Sequence, residues 1–155
     1  MSIEYRKGDL LKQNDVNFII HCANCFNTMG AGIALAIANK YPEAVEADNQ
    51  TDCGNPNKLG CFSYAKGSDG KIIANLYGQF RYSGDGRNLN YEAFYGGLEA
   101  IHNQILDSKD KAKVFVVGVP KFIGCGLANG SWRVIKAMLE DIFEDSKIRL
   151  IICEL

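Results

Sequence analysis

The stretch HCANCFNTMGAGIALAIANKYP, residues His21 to Pro42, decides how this chain is read. An apolar run, Val16 to Ile20, leads into it and ends abruptly in a histidine, two cysteines and an asparagine. A glycine-bearing loop follows, and Gly32 to Lys40, rich in Ala, Leu and Ile, then reads as a helix that stops before Tyr41-Pro42. Strand, glycine loop and helix together form a unit that can offer backbone N–H groups and a helix N-terminus to an anion. The Cys22-Ala23-Asn24-Cys25 spelling offers a competing reading, metal or redox chemistry.

The same alternation runs outward in both directions. Strand-like runs occur at Ile3 to Lys7, Val16 to Cys22, Leu59 to Ala65, Lys71 to Tyr77, Val114 to Val119 and Arg149 to Cys153. VFVVGV and LIIC are apolar without alternation, as expected of strands covered on both faces. Tyr91 to Leu106 spaces Phe94, Leu98, Ile101 and Ile105 at a helical period, with Asn90 as N-cap, and Trp132 to Phe143 does the same with Ile135, Met138, Leu139, Ile142 and Phe143. Strands alternating with helices predict a three-layer α/β/α sandwich with a mixed, mostly parallel central sheet, a single domain over residues 1–155.

Such sheets bind ligands beyond the carboxyl ends of their strands. A second glycine-bearing segment, PKFIGCGLANGSW from Pro120 to Trp132, also follows a strand and precedes a helix, so two loops at one sheet edge are positioned to clasp a diphosphate. Either loop alone reads as a tight turn. Gly30-Ala31-Gly32-Ile33-Ala34-Leu35 lacks the third glycine of a dinucleotide fingerprint, and no GK[ST] follows as in a Walker loop. A zinc site wants four ligands and no second CxxC exists, so the cysteines at 22, 25, 53, 61, 125 and 153 read as structural thiols. His21 reads either as a hydrogen-bonded strand-end histidine or as an acid/base group; Asn24 as a turn former or a sugar-hydroxyl partner. Asp9 either caps a turn or accepts from the exocyclic amine of a base.

Bulk properties exclude several classes. A net charge of -1, with Lys and Arg dispersed, leaves no basic stripe for nucleic acid. MSIEYRKGDL has no apolar signal segment, and no run approaches the roughly 20 residues of a membrane span, so the expectation is a cytoplasmic protein without a membrane partner.

Taken together, Lys7-Gly8-Asp9-Leu10, Asn24, Met29-Gly30-Ala31-Gly32-Ile33-Ala34 and PKFIGCGL (Pro120 to Leu127) resemble the macro domain, an ADP-ribose-binding module, over nearly the whole chain from Ile3 to Leu155. Within that family the HCANC strand end, MGAGIA and IGCGL resemble a compact branch of ADP-ribose-1″-phosphate phosphatases and the terminal ADP-ribose protein glycohydrolase. The resemblance implies that Asp9 contacts the adenine amine with Leu10 nearby, and that Asn24 faces the distal ribose. It implies that the backbone of Met29, Gly30, Ala31, Gly32 and Ile33 holds one phosphate. Ile123, Gly124, Cys125, Gly126 and Leu127 would close over the diphosphate and distal ribose, with Phe122 beside them as a ligand-binding residue.

Three positions depart from the glycohydrolase pattern. Its aspartate after GCGL is Ala128 here, Leu76 to Phe80 offers no lysine, and Cys153 stands where the family often has an aromatic residue. The phosphatase pattern carries a histidine matching His21. The expected activity is therefore metal-independent, cofactor-free hydrolysis of ADP-ribose-1″-phosphate by a monomer, with His21 and Asn24 as catalytic residues. The alternatives are glycohydrolase or O-acetyl-ADP-ribose deacetylase activity, or a module that binds ADP-ribose without turnover. ADP-ribosylated macromolecules are further candidate partners.

Overall fold

The computed structural model describes residues 3–82, 86–108 and 114–155, so the first two residues of MSIEYRKGDL lie outside it. Six strands form one sheet: β1 (Ile3–Lys7), β2 (Phe18–Asn24), β3 (Phe62–Lys66), β4 (Ile72–Gln79), β5 (Val116–Pro120) and β6 (Arg149–Glu154). Their order is β1-β6-β5-β2-β4-β3, with every pair parallel except β3 against β4. Helices α1 (Gly32–Lys40) and α2 (Pro42–Asn49) cover one face, and α3 (Tyr91–Leu106) and α4 (Trp132–Phe143) the other. The result is a three-layer α/β/α sandwich with a mixed, mostly parallel sheet.

Strand alternation divides the core in two. Ile20, Leu76, Val117, Val119, Leu150 and Ile152 pack against Phe94, Leu98, Ile135 and Leu139 of α3 and α4. Ile19, Ile73, Ile151 and Cys153 point the other way, onto Ile37, Tyr41 and Ala44. With burial of a large aliphatic side chain contributing about 1.5–3 kcal/mol, both faces must be filled to hold the central strands. Gly118 makes room on the second face, because a Cβ there would lie 2.6 Å from Leu10 Cδ1.

The expected helices match the observed spans, and Asn90 Oδ1 accepts the Ala93 N–H as an N-cap. One helix was not expected. Tyr41 ends α1, and Pro42 opens α2 at once, because proline fits the first turn, where its missing N–H costs nothing. Among the described residues no helix is long and apolar enough to cross a membrane.

Candidate functional site

β2, β4 and β5 end at the same edge, and the loops leaving them wall a cleft of about 900 Å³. The first wall begins at Asn24. Its Oδ1 accepts the Phe26 N–H at 2.8 Å, and its Nδ2 donates to both Thr28 O and Thr28 Oγ1 at 2.9 Å. Asn24 thus shapes the loop with most of its own hydrogen-bonding capacity, leaving one oxygen lone pair for a ligand.

α1 begins at the end of this loop with Ala31 at its N-cap, a residue without a side-chain acceptor. The first-turn N–H groups of Gly32, Ile33 and Ala34 are therefore uncapped and open onto the cleft these residues line. Their partial positive charge favours an anion there. Gly30 is informative. Its φ is unremarkable and a Cβ there would meet no atom within 4 Å, so neither backbone nor packing requires glycine.

The second wall, Pro120 to Ala128, has the same division of labour. Gly124, at φ +74°, and Gly130 are packing glycines: a Cβ would lie 3.0 Å from Leu89 Cδ1 at the first, and 2.4 Å from Leu89 Cδ2 at the second. Gly126 has open space beside it. Among the described residues the N–H groups of Gly124, Gly126 and Leu127 carry no hydrogen bond and remain free for a ligand. Phe122 holds a left-handed φ of +67°, leaving its ring half-exposed at the cleft edge against Trp132.

The cleft brings together Asn24, Met29 to Ile33, Phe122, Ile123, Gly124, Gly126 and Leu127. Asp9, Leu10 and Cys125 are not in its lining. Asp9 Oδ1 accepts the Leu11 N–H, capping a short 3-10 turn, and Leu10 is buried against the sheet. The Cys125 thiol turns back onto Ile123 O. Thr28, Gln79, Tyr82 and Lys121 also line the cleft, unforeseen from the sequence. Gln79 arrives through a bulge: Ala23 pairs with Tyr77 but Asn24 with Gln79, so Gly78 is the extra residue. A glycine interrupting LYGQ was the available signal.

His21, expected as a catalytic residue, lies mid-strand in β2 at the cleft. It forms part of the cleft floor, yet the residue is fully buried. Asn75 donates its amide to Ala44 O and Ser63 Oγ, so its Oδ1 is the acceptor that receives His21 Nε2–H at 2.6 Å. Nδ1 is enclosed without a partner. Burial pushes the ring down to about 4, against which the Asn75 bond is the smaller effect. A ring held uncharged keeps its single proton on Nε2, committed to Asn75, and its enclosed Nδ1 has no line of attack as a nucleophile.

The cysteines show no ligand geometry. Cys22 and Cys25, three apart at the end of a strand, face opposite sides: Cys22 packs among the α3 and α4 core, Cys25 beside Tyr77. Burial pushes the Cys22 thiol up to about 12 and raises those of Cys25, Cys125 and Cys153. All six cysteines are free thiols.

No protein-family model matches the chain. It is 31% identical to an uncharacterized 17.5 kDa protein of Enterobacteria phage T4, over 99% of this chain and 97% of that one. It is 32% identical to the ADP-ribose glycohydrolase OARD1 of Bos taurus, over 96% of this chain and 88% of the relative. A macrodomain protein from Streptomyces coelicolor superposes with a TM-score of 0.76 at 22% identity, over 99% of both chains.

Proposed function

The chain belongs to the macrodomain family, and on that premise we propose that its cleft binds ADP-ribose and that the protein hydrolyses an ADP-ribose derivative at the distal ribose, with ADP-ribose-1″-phosphate as substrate. The observation that carries the reading is the uncapped N-terminus of α1 beside Gly30, whose empty Cβ position leaves the backbone open to close approach by a phosphate. Facing it across the cleft are the free N–H groups of Gly124, Gly126 and Leu127. Two sets of neutral donors suit a diphosphate held away from bulk water. The volume, about 900 Å³, accommodates a nucleotide sugar.

Hydrolysis of a phosphate monoester asks mainly for positioning and charge stabilisation. Attack of water on phosphorus breaks the bond to the 1″ oxygen and leaves ADP-ribose and inorganic phosphate. In this reading the loop N–H groups hold the substrate, the substrate's own phosphate oxygens relay one water proton to the departing 1″ oxygen, and Asn24 aligns the ribose through its remaining lone pair. In the same reading His21 ties the middle of β2 to β4 through Asn75 and acts on the substrate only indirectly.

The similarity to OARD1 favours a second reading, release of ADP-ribose from a modified protein. Ala128 stands where the glycohydrolase pattern has its aspartate, which argues against that route by the aspartate-dependent chemistry. Purified protein is incubated in parallel with ADP-ribose-1″-phosphate, following phosphate, and with mono-ADP-ribosylated protein, following free ADP-ribose. Phosphate release alone supports the proposal. Release from protein alone transfers the assignment to the glycohydrolase, and neither product leaves a binding module.

A further inference from the structure

Lys58 is a lysine in an unexpected place. It lies at the end of a 3-10 turn (Pro56–Lys58) between α2 and β3, outside the cleft, and it is buried at 7% exposure. Lysine is almost never so enclosed without a strong partner. Its ammonium reaches two neutral oxygens, Asn27 Oδ1 at 2.6 Å and Cys25 O at 3.2 Å, and its charge acts on the buried Asp48 carboxylate. The Tyr77 ring lies beneath it, 4.7 Å from Nζ to the centroid.

Both acceptors belong to the turn that begins the cleft's first wall. Asn27 holds a left-handed φ of +56°, and its Nδ2 donates to Thr51 O at 3.0 Å. Its side chain is thus gripped at both ends by groups from beyond the loop. Cys25 O also accepts the Gly54 N–H. One residue further on, Thr28 is tied by Asn24. The turn is held from inside by Asn24 and from outside by Lys58 and Thr51, and the next residues, Met29 to Ala34, line the cleft.

The support continues inward. Tyr77 donates to Asp48 Oδ1 at 2.7 Å and lies 2.7 Å from Ser63 Oγ, which accepts from Asn75, the partner of His21. We infer that Lys58 is a positioning residue that fixes the β2–α1 turn, and so the phosphate-facing N–H groups, from the far side of the loop. The inference about the ligand rests on the proposed ADP-ribose reading; the fixing of the turn does not.

The test uses the full chain without ligand first. Lys58→Met keeps most of the stem and removes the ammonium. Amide hydrogen exchange at Cys25, Phe26 and Gly54, whose N–H groups are hydrogen-bonded in this turn, should rise at least tenfold, while amides of β5 and β6 keep wild-type protection. Unchanged protection at Cys25, Phe26 and Gly54, or a uniform rise across the sheet, would overturn the inference. Should Lys58→Met not fold, Asn27→Gly removes the acceptor at a φ glycine tolerates and should give the same local rise. ADP-ribose calorimetry then reads the consequence. The Kd of Lys58→Met should rise at least fivefold at unchanged stoichiometry, whereas a wild-type Kd in the variant would refute the link to the ligand. Absence of binding by the wild type overturns the ADP-ribose reading, with the exchange result still deciding the role of Lys58.

Discussion

Gly30→Glu separates a glycine kept for the fold from one kept for a ligand. A Cβ at position 30 meets nothing within 4 Å and φ lies outside the left-handed region, so the substitution should disturb the free protein little. A surface change of that kind stays within about 0.5 kcal/mol, a Tm shift under about 2 °C for a chain of this size. The carboxylate would stand in the cleft beside the α1 N-terminus. At about 5 Å from the nearer phosphate and an effective dielectric near 20, repulsion costs about 3 kcal/mol, or roughly 200-fold in Kd. Gly30→Gln supplies the same bulk without charge and isolates the electrostatic part, which should shrink in about 1 M salt as screening grows. Calorimetric titration with ADP-ribose and a thermal melt on each variant are sufficient. Wild-type affinity in Gly30→Glu would refute the reasoning, since it would place the diphosphate elsewhere.

Other outcomes follow from single residues. His21 sits near 4 when folded and near 6.5 when unfolded, so between those values the unfolded chain binds a proton that the native one does not. Stability should therefore be full above about pH 6.5 and fall by up to about 3 kcal/mol as pH drops toward 4; urea unfolding of wild type against His21→Gln checks this, and identical pH profiles would contradict it. Gly130→Ala forces a Cβ to 2.4 Å from Leu89 Cδ2 and 2.7 Å from Gly124 O, and should cost about 1–3 kcal/mol, whereas Gly126→Ala should leave the Tm near wild type; equal melts would be against the assignment. In a thiol titration of folded protein, Cys53 and Cys61 should react first, the half-buried Cys22, its thiol raised by burial, well after them, and Cys25 and Cys153 only on unfolding. Early reaction of Cys22 would show a thiol available for chemistry.

The sheet and three of its four helices were legible because their signals are local and periodic. VFVVGV and LIIC announce strands covered on both sides, and Asn90 announces the start of α3. α2 was hidden because Pro42 reads as a stop after α1, although it equally starts a helix. Strand edges drifted where a loop residue looks apolar: Val16 is wholly buried but lies before β2, and Leu59 before β3. The two cleft loops were legible from their glycines and their place at strand ends. His21 was not, because its role depends on Asn75, 54 positions away, and on burial that only the assembled sheet creates. Lys58 was invisible for the same reason: nothing near it in sequence reveals that its ammonium reaches Asn27.

The central claim, that the cleft between the β2–α1 and β5–α4 loops is an ADP-ribose site, is met most directly by calorimetric titration of the wild-type protein with ADP-ribose. Saturable binding of one ADP-ribose per chain is expected, with AMP and NAD binding more weakly because the distal pocket wants a free sugar end. No heat of binding at millimolar ADP-ribose would contradict it.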